Sequence, residues 1–332
     1  SSDLNDGTSW ANRKLTINGA EDIPVVAGDT VYVGAGTYRE ELIVDVSGSD
    51  GSPITYIGDY TGANTDGVGG VVRITGSDDD ITTTRNYGIY ANGKAYRTFR
   101  GFRIDLTTLQ AGYFLGDCTG LIFDQCYIGF TSNSGLALSN PGTGAYVISN
   151  CYFEPGLRSY LGDLIITHSS VLDNRAITIQ NCSFNGAYGI VVARVGGATI
   201  KNCTFDNGSR GVQISTALNA GQTITVNNCV LCAAGGRAFD ATAEGEITEN
   251  YNTIYATATA RTNTAVGANS LTYPPMFDSR WFFEMVGGGK LITPLDLSAN
   301  SQLINVAGTS PSSTDMRGAS VIGAQREWGA LE

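Results

Sequence analysis

The sequence is poor in charge: only 15% of its 332 residues are charged, against about a quarter in an average soluble domain. Acidic residues outnumber basic ones by 31 to 20, which gives a formal net charge of −11. A nucleic-acid-binding protein needs a basic surface for phosphates, and an acidic surface disfavours docking on an anionic membrane. We therefore expect neither nucleic acid nor membrane among the partners.

Histidine, lysine and long apolar runs are also scarce. The chain has one histidine and four lysines, and no apolar run approaches the ~18–20 residues of a membrane span. Its seven cysteines show no zinc-site spacing, since Cys229 and Cys232 form only a lone C-x-x-C. The sequence thus predicts buried thiols and no bound metal.

Glycine is abundant, with 43 residues, which suits short strands joined by tight turns. A short motif centred on a cysteine occurs five times. In each copy, one apolar residue stands three positions before the cysteine and a second apolar residue stands two positions after it. The cysteines of this repeat are Cys126, Cys151, Cys182, Cys203 and Cys229. Intervals of 21 to 31 residues between them are typical of a solenoid.

The residue before the cysteine explains how both flanking apolar positions can face inward. Strict alternation along a strand would place the cysteine outside, three positions from an inward residue. That preceding residue is usually asparagine, which tolerates the left-handed backbone conformation and can form a one-residue corner. We therefore predict an inward thiol ladder beside an asparagine ladder, with Phe184 and Phe205 in the core of adjacent coils.

A second column recurs in the same coils, where a turn residue precedes an inward aliphatic or aromatic residue. Its copies are Tyr87-Gly88-Ile89, Ser134-Gly135-Leu136, Tyr188-Gly189-Ile190, Arg210-Gly211-Val212 and Arg237-Ala238-Phe239. Each coil thus holds two or three strands. The predicted fold is an all-β, right-handed parallel β-helix of about ten coils, forming one domain over residues 1–332. Residues 1–27 are expected to form a short cap with a helix over Leu15–Val25, residues 28–260 the coils, and residues 261–332 the last coils and an irregular C-terminal cap.

The opening and closing segments resemble a known superfamily. The run Ala27–Glu40, followed by Ser47–Gly58, is similar to the first coils of the pectate-lyase-like right-handed β-helices, above all the branch of chondroitinase-B-type and alginate lyases. Asp315–Gly318 and Ile322–Ala324 are similar to the closing segment of that superfamily. The opening and the run Val71–Ser77 also resemble phage-encoded β-helix proteins. The resemblance implies the fold, and it is shared by lyases, virion fibres and adhesins.

The lyase branch implies a catalytic Lys and Arg from nearby coils, with Ca²⁺ held by Asn and Glu oxygens. Here only Lys201 falls in a well-defined outward strand column, between Gln180 and Asn227, with no acid beside it. A Ca²⁺ site needs several oxygens together. No catalytic residue of the family is therefore transferred, Ca²⁺ is unsupported, and no cofactor is predicted.

Two other candidates have plainer explanations. Asp78, Asp79 and Asp80 form the densest acidic cluster, but consecutive residues make a poor catalytic pair and are expected to be a solvated loop. His168 should face inward if Ile166 does, unless a turn intervenes, and is expected to be structural.

Possible ligand contacts remain at Tyr188, Arg210 and Arg237, which stack in successive coils, and at Lys201. Aromatic and guanidinium faces suit anionic sugars, although a solvated corner ladder explains the column equally. We expect a non-enzymatic structural or adhesive protein with possible polysaccharide contact, plausible as a virion or cell-surface component. Its expected assembly is a homo-oligomer, with a trimer favoured, and its expected location is extracellular or on a virion. The alternative is a polysaccharide lyase, or a glycoside hydrolase, acting on an acidic polysaccharide.

Overall fold

The structure is a computed structural model with three parallel sheets wound into nine coils, which confirms the predicted β-helix and lies close to the predicted coil number. It describes residues 4–23, 25–154, 162–172, 175–206, 208–233, 236–256 and 259–270, with the pairs 284–285 and 291–292. Each coil contributes three strands in succession, one to each sheet. Taken coil by coil, the strands are β1 (Thr30–Val33), β2 (Gly36–Tyr38), β3 (Leu42–Val44); β4 (Ile54–Gly58), β5 (Val72–Thr75), β6 (Tyr87–Asn92); β7 (Arg97–Arg100), β8 (Arg103–Asp105), β9 (Gln110–Leu115); β10 (Leu121–Asp124), β11 (Tyr127–Gly129), β12 (Ser134–Ser139); β13 (Tyr146–Ser149), β14 (Tyr152–Phe153), β15 (Leu164–Leu172); β16 (Ile177–Gln180), β17 (Ser183–Phe184), β18 (Tyr188–Val195); β19 (Thr199–Lys201), β20 (Thr204–Asp206), β21 (Arg210–Thr216); β22 (Ile224–Asn227), β23 (Val230–Ala233), β24 (Arg237–Asp240); β25 (Ile247–Asn250), β26 (Thr253–Ala256) and β27 (Arg261–Thr262).

The first, second and third strands of the coils form sheets A, B and C, each of nine parallel strands. Sheet A starts at β1, sheet B at β2 and sheet C at β3, so equivalent residues of successive coils lie side by side. Neighbouring strands in such a sheet are about 4.8 Å apart. A side chain that recurs at one position of the repeat therefore forms a column along the axis.

The corner between sheets A and B is the one-residue turn that the sequence predicts. Its five central copies, each with a φ of 53° or 54°, are Gln125, Asn150, Asn181, Asn202 and Asn228. The asparagines form a ladder, since Asn181 Nδ2 donates to Asn150 Oδ1 and Asn202 Nδ2 to Asn181 Oδ1, both at 3.2 Å. The cysteine that follows each corner is fully buried, which confirms the inward thiol ladder.

The core beside the thiols is a stack of aromatic rings. The ring centroids of Phe153 and Phe184 are 4.6 Å apart, and those of Phe184 and Phe205 are 4.8 Å apart. These rings fill the corner between sheets B and C, which explains the glycines in the second column. A Cβ on Gly189 would lie 2.5 Å from the Phe205 ring, and one on Gly88 would lie 2.2 Å from Ile104.

The N-terminal cap contains less helix than predicted. Instead of a helix over Leu15–Val25, it has a 3₁₀ turn at Trp10–Asn12 and a single α-helical turn, α1, at Asn18–Glu21. Asn and Gly, which begin α1, are poor helix formers, and the N-cap residue Ile17 has no side chain that can accept a hydrogen bond. The cap is instead anchored by the buried Glu21, which pairs with Arg97 at 2.9 Å.

The predicted C-terminal cap falls largely outside the described residues, as do the closing motifs at Asp315–Gly318 and Ile322–Ala324. Within residues 271–332, the structure describes only the antiparallel pair β28 (Glu284–Met285) and β29 (Leu291–Ile292).

Candidate functional site

Three of the four predicted contact residues lie together at the start of the sheet C strands. Tyr188 of β18 is the register partner of Arg210 of β21, which in turn pairs with Arg237 of β24. The Arg210 guanidinium lies over the Tyr188 ring, 5.1 Å from its centroid. The predicted stacking of these side chains in successive coils is therefore present, and all three are partly exposed.

Both arginines are paired with an acid that the sequence analysis did not include. Arg210 Nε lies 3.0 Å from one carboxylate oxygen of Asp240, and Arg237 Nη1 lies 2.9 Å from the other. The Asp240 side chain is 11% exposed, whereas those of Arg210 and Arg237 are 30% and 42% exposed. The cations thus stay accessible, but their charge is partly neutralised within the protein.

Lys201 lies on a different sheet. It ends β19 of sheet A, with Gln180 and Asn227 as its register partners, as the sequence predicts. Its side chain therefore does not converge with the arginines of sheet C. The other lysines in the described residues, Lys14 and Lys94, lie outside the strands.

A cluster of three tyrosines on the outer face of sheet C is the most distinctive feature of this surface. Tyr87 and Tyr90 belong to β6, and Tyr113 belongs to β9 of the next coil. The centroid of the Tyr87 ring is 5.3 Å from that of Tyr90 and 5.1 Å from that of Tyr113, and the Tyr90 and Tyr113 rings are 6.0 Å apart. All three rings are stacked and partly exposed. Partial burial, with Tyr113 and Glu41 nearby, raises the pKa of Tyr87, so this side chain is neutral at physiological pH.

Tyr90 and Tyr113 belong to a mostly apolar column that follows the axis of the β-helix. The register partners in the column, from the first coil to the seventh, are Ile43, Tyr90, Tyr113, Ala137, Ile165, Val191 and Gln213. Ile43 is 44% exposed, and Asp240 follows Gln213. The outer face of sheet C is thus aromatic and apolar at one end and carries the paired arginines at the other.

His168 does not face the core, contrary to the inward orientation expected from Ile166. Ile166 is fully buried, but the register between β15 and β18 shifts between Thr167 and Leu172, so the alternation does not continue regularly through His168. The His168 ring is partly exposed, and its Nδ1 accepts a hydrogen bond from the Ser170 backbone N at 3.1 Å.

The acidic cluster at residues 78–80 is held by neighbouring arginines rather than only solvated. Asp80 pairs with Arg39 at 2.7 Å and with Arg73 at 2.6 Å, and Asp78 pairs with Arg85 at 2.8 Å. These ion pairs fold the loop between β5 and β6 onto the coils. The carboxylates of Asp78 and Asp80 therefore have a structural role.

The most perturbed carboxyl group is buried beneath the surface. Asp163 is 3% exposed, and burial raises its pKa to about 7. Its Oδ2 accepts a hydrogen bond from the Gly186 backbone N at 2.9 Å, which lowers the pKa only in part. A group so enclosed cannot contact a polymer lying on sheet C.

Similarity to solved structures is at the level of the fold. Pectate lyase Pel9A is 18% identical, with a TM-score of 0.49, over 99% of this chain and 93% of that chain. An alginate lyase from Paenibacillus sp. str. FPU-7 is 13% identical, with a TM-score of 0.49, over 74% of this chain and 92% of that chain. XylC, solved in complex with xylose, is 12% identical, with a TM-score of 0.45, over 80% and 68% of the two chains.

Sequence comparison identifies the family. No curated protein sequence matches this chain. Among the described residues, no helix has both the length and the apolar character to cross a membrane. The family model described as "Periplasmic copper-binding protein (NosD)" matches residues 72–265, which include most of coils two to nine and amount to more than half of the sequence. This parallel β-helix therefore belongs to the NosD family.

Proposed function

We propose that this protein binds a polysaccharide along the outer face of sheet C and does not cleave it. The observation that carries the proposal is the tyrosine cluster of Tyr87, Tyr90 and Tyr113. Tyrosine offers an apolar ring beside a hydroxyl that both donates and accepts hydrogen bonds, a combination that suits the apolar faces and hydroxyl groups of sugar rings. The apolar column extends this surface over several coils, as an extended polymer requires.

The charge distribution favours a neutral polysaccharide over an acidic one. Arg210 and Arg237 are paired with Asp240, so an acidic sugar must compete with a carboxylate already in place. The net charge of −11 also repels a polyanion at long range. An acidic polysaccharide should therefore bind weakly, and less still at high salt.

Binding without turnover is supported by the separation of the candidate groups Lys201, Asp163 and Asp240. A lyase needs a base and a cation at one sugar, and a hydrolase needs two facing carboxyl groups. In the described coils, Lys201 lies on sheet A, Asp163 is buried, and Asp240 is engaged by two arginines. This arrangement supports a binding surface better than the alternative of a lyase or hydrolase.

Copper, which the family description names, does not fit the described residues. Protein copper sites use thiolate, thioether and imidazole ligands. Here the repeat cysteines are buried in the core, and their thiols donate to main-chain oxygens, as Cys151 Sγ does to Ser149 O at 3.1 Å. Burial raises the pKa of Cys151, whereas metal binding needs the thiolate. Among the described residues, no three His, Cys, Asp or Glu side chains form a group that could hold a metal ion. We derive no role for copper or Ca²⁺ from these residues.

The periplasmic description of the family supports a location outside the cytoplasm. A virion or cell-surface role and a homotrimer remain predictions from the sequence. Light scattering of the purified protein would give its mass in solution and test the trimer.

The test of the proposed function is a titration of neutral and acidic polysaccharides against the wild type, Tyr90→Ala and Tyr113→Ala. Either substitution should weaken binding of a neutral polysaccharide about tenfold, or about 1.4 kcal/mol. Tyr255→Ala is the matched control, since it removes a tyrosine that is 43% exposed on β26 of sheet B. Equal affinity in all four proteins would contradict the proposed surface. Formation of unsaturated uronate or reducing ends would establish an enzyme instead.

A further inference from the structure

A cleft of about 610 Å³ lies at the N-terminal end of the β-helix, away from sheet C's tyrosine cluster. One wall is formed by the whole of β1 and the residues that follow it, and the other by the cap, including Trp10, Leu15 and Ile23. The volume is within the range of protein ligand sites. Leu15 is 58% exposed and Tyr32 is 43% exposed, so the cleft is open to solvent. Its lining is mixed, since polar residues such as Arg13 and Asp29 lie among the apolar ones.

The cleft exposes the hydrogen-bonding edge of sheet A. Thr55 N donates to Asp29 O at 2.9 Å, and Asp59 N donates to Val33 O at 2.8 Å. These bonds show which alternate residues of β1 are hydrogen-bonded to β4. The odd-numbered residues of β1 therefore bond to β4, and the N–H and C=O groups of Thr30 and Tyr32 point the opposite way. Within the described residues, no hydrogen bond occupies these groups.

The edge of sheet C, unlike that of sheet A, is hydrogen-bonded to side chains of the cap. On sheet C, the β3 edge is closed by side chains of the cap: Asn18 Oδ1 accepts from Ile43 N at 2.8 Å, and Glu21 Oε2 accepts from Asp45 N at 3.1 Å. Edge strands are usually protected in such ways, or by lysine and proline. The sequence of β1, Thr-Val-Tyr-Val, has neither. The β1 edge thus lacks the side-chain cover that the β3 edge has.

We propose that this cleft binds an extended peptide segment of a partner protein, which adds to β1 as a tenth strand of sheet A. The site continues the hydrogen-bonded ladder that already joins nine strands. Its side chains would alternate between the interior, near Val31 and Val33, and the outer face, near Tyr32. Peptide recognition by strand addition uses this combination of main-chain bonds and alternate side-chain pockets.

The dimensions favour a peptide over a second folded copy. Four residues of strand span only about 13 Å, whereas a stable interface between folded proteins buries about 1,200–2,000 Å². End-to-end stacking of two β-helices would have to displace the cap, which is held by the buried pair of Glu21 and Arg97.

The test uses a fluorescein-labelled heptapeptide of alternating threonine and valine and measures fluorescence anisotropy with the whole protein. The peptide should bind, and an analogue N-methylated at alternate residues should bind at least tenfold more weakly, because it cannot complete the ladder. Tyr32→Pro removes a main-chain N–H that faces the cleft without breaking the ladder to β4 and should also cause at least a tenfold loss. Thr37→Pro is the matched control, since Thr37 lies on β2, the first strand of sheet B, and does not line the cleft.

Circular dichroism should confirm that both proline variants keep the β-helix, and the N-methylated analogue decides the question if one does not. Absence of peptide binding, or equal binding of the N-methylated peptide, would overturn the proposal. Concentration-dependent dimers that disappear in Tyr32→Pro would also overturn it, by identifying a second copy as the occupant.

Discussion

The rings of Phe184 and Phe205 stack in adjacent coils with centroids 4.8 Å apart and only 11° between their planes. Both side chains are buried, at 1% and 4% exposure, and they occupy the same position of the repeat. Each ring therefore supports the coil on either side of it as well as its own.

Truncating either ring should destabilise the protein strongly. Phe184→Ala and Phe205→Ala are each expected to lower the free energy of unfolding by ~3–5 kcal/mol, because a buried cavity replaces the ring. Phe184→Leu keeps most of the volume and should cost less. Urea denaturation followed by circular dichroism measures the change, and a loss below about 1 kcal/mol would show that the core is loose at this corner.

The thiol ladder should be unreactive in the folded protein. Burial raises the pKa of Cys151, Cys182 and Cys229, so the reactive thiolate is scarce at these three positions. All five repeat cysteines are fully buried, so the chain must open before a reagent can enter. Labelling with a maleimide should be slow at the five repeat cysteines and fast in denaturant. Ser169→Cys, at an exposed position of β15, provides a fast-reacting control. Rapid labelling of the native repeat cysteines would refute the inward register.

Asp163 should make stability depend on pH. Its pKa is about 7 in the folded protein, against 3.8 as the ordinary value, so the folded state retains a proton that the unfolded state loses. Stability should therefore fall as the pH rises from about 4 to about 7, by up to about 1.4 kcal/mol per pH unit, and then level off. Comparing the wild type with Asp163→Asn by urea denaturation across this range isolates the effect. Parallel pH profiles in the two proteins would contradict it.

Asp240 should limit the affinity for acidic sugars. Asp240→Asn frees Arg210 and Arg237 and is expected to raise the affinity for polygalacturonate about two- to fivefold, in keeping with partly exposed ion pairs worth up to about 1 kcal/mol. Glu244→Gln changes the net charge equally at an exposed position and is the matched control. An equal gain in both variants would mean that only the net charge matters.

The sequence predicts the fold because the corner and core residues repeat. An asparagine in the left-handed conformation and a following cysteine recur with little variation, so the register of coils four to eight can be assigned by alignment alone. The column of Tyr188, Arg210 and Arg237 follows from the same alignment.

What the sequence does not predict depends on contacts between columns or on breaks in a strand. The tyrosine cluster joins two columns of coils two and three, where no repeat cysteine marks the register. The only signal was the spacing of Tyr87 and Tyr90. The pairing of Arg237 with Asp240, three residues on, could have been suspected, but its second partner comes from the preceding coil. The irregularity of β15 between Thr167 and Leu172 cannot be recognised in the pattern of apolar residues.

The corner between sheets A and B is a single residue with the same conformation in successive coils. A whole coil could therefore be removed or inserted at this corner. Asn181 and Asn202 have the same backbone conformation 21 residues apart, so removing residues 182–202 would join equivalent points of two coils. The rod would shorten by one strand spacing, about 4.8 Å, and Phe205 would take the place of the deleted Phe184 beside Phe153. Gain or loss of whole coils can thus change the reach of the molecule without redesigning its interior, while the longer connections elsewhere vary independently.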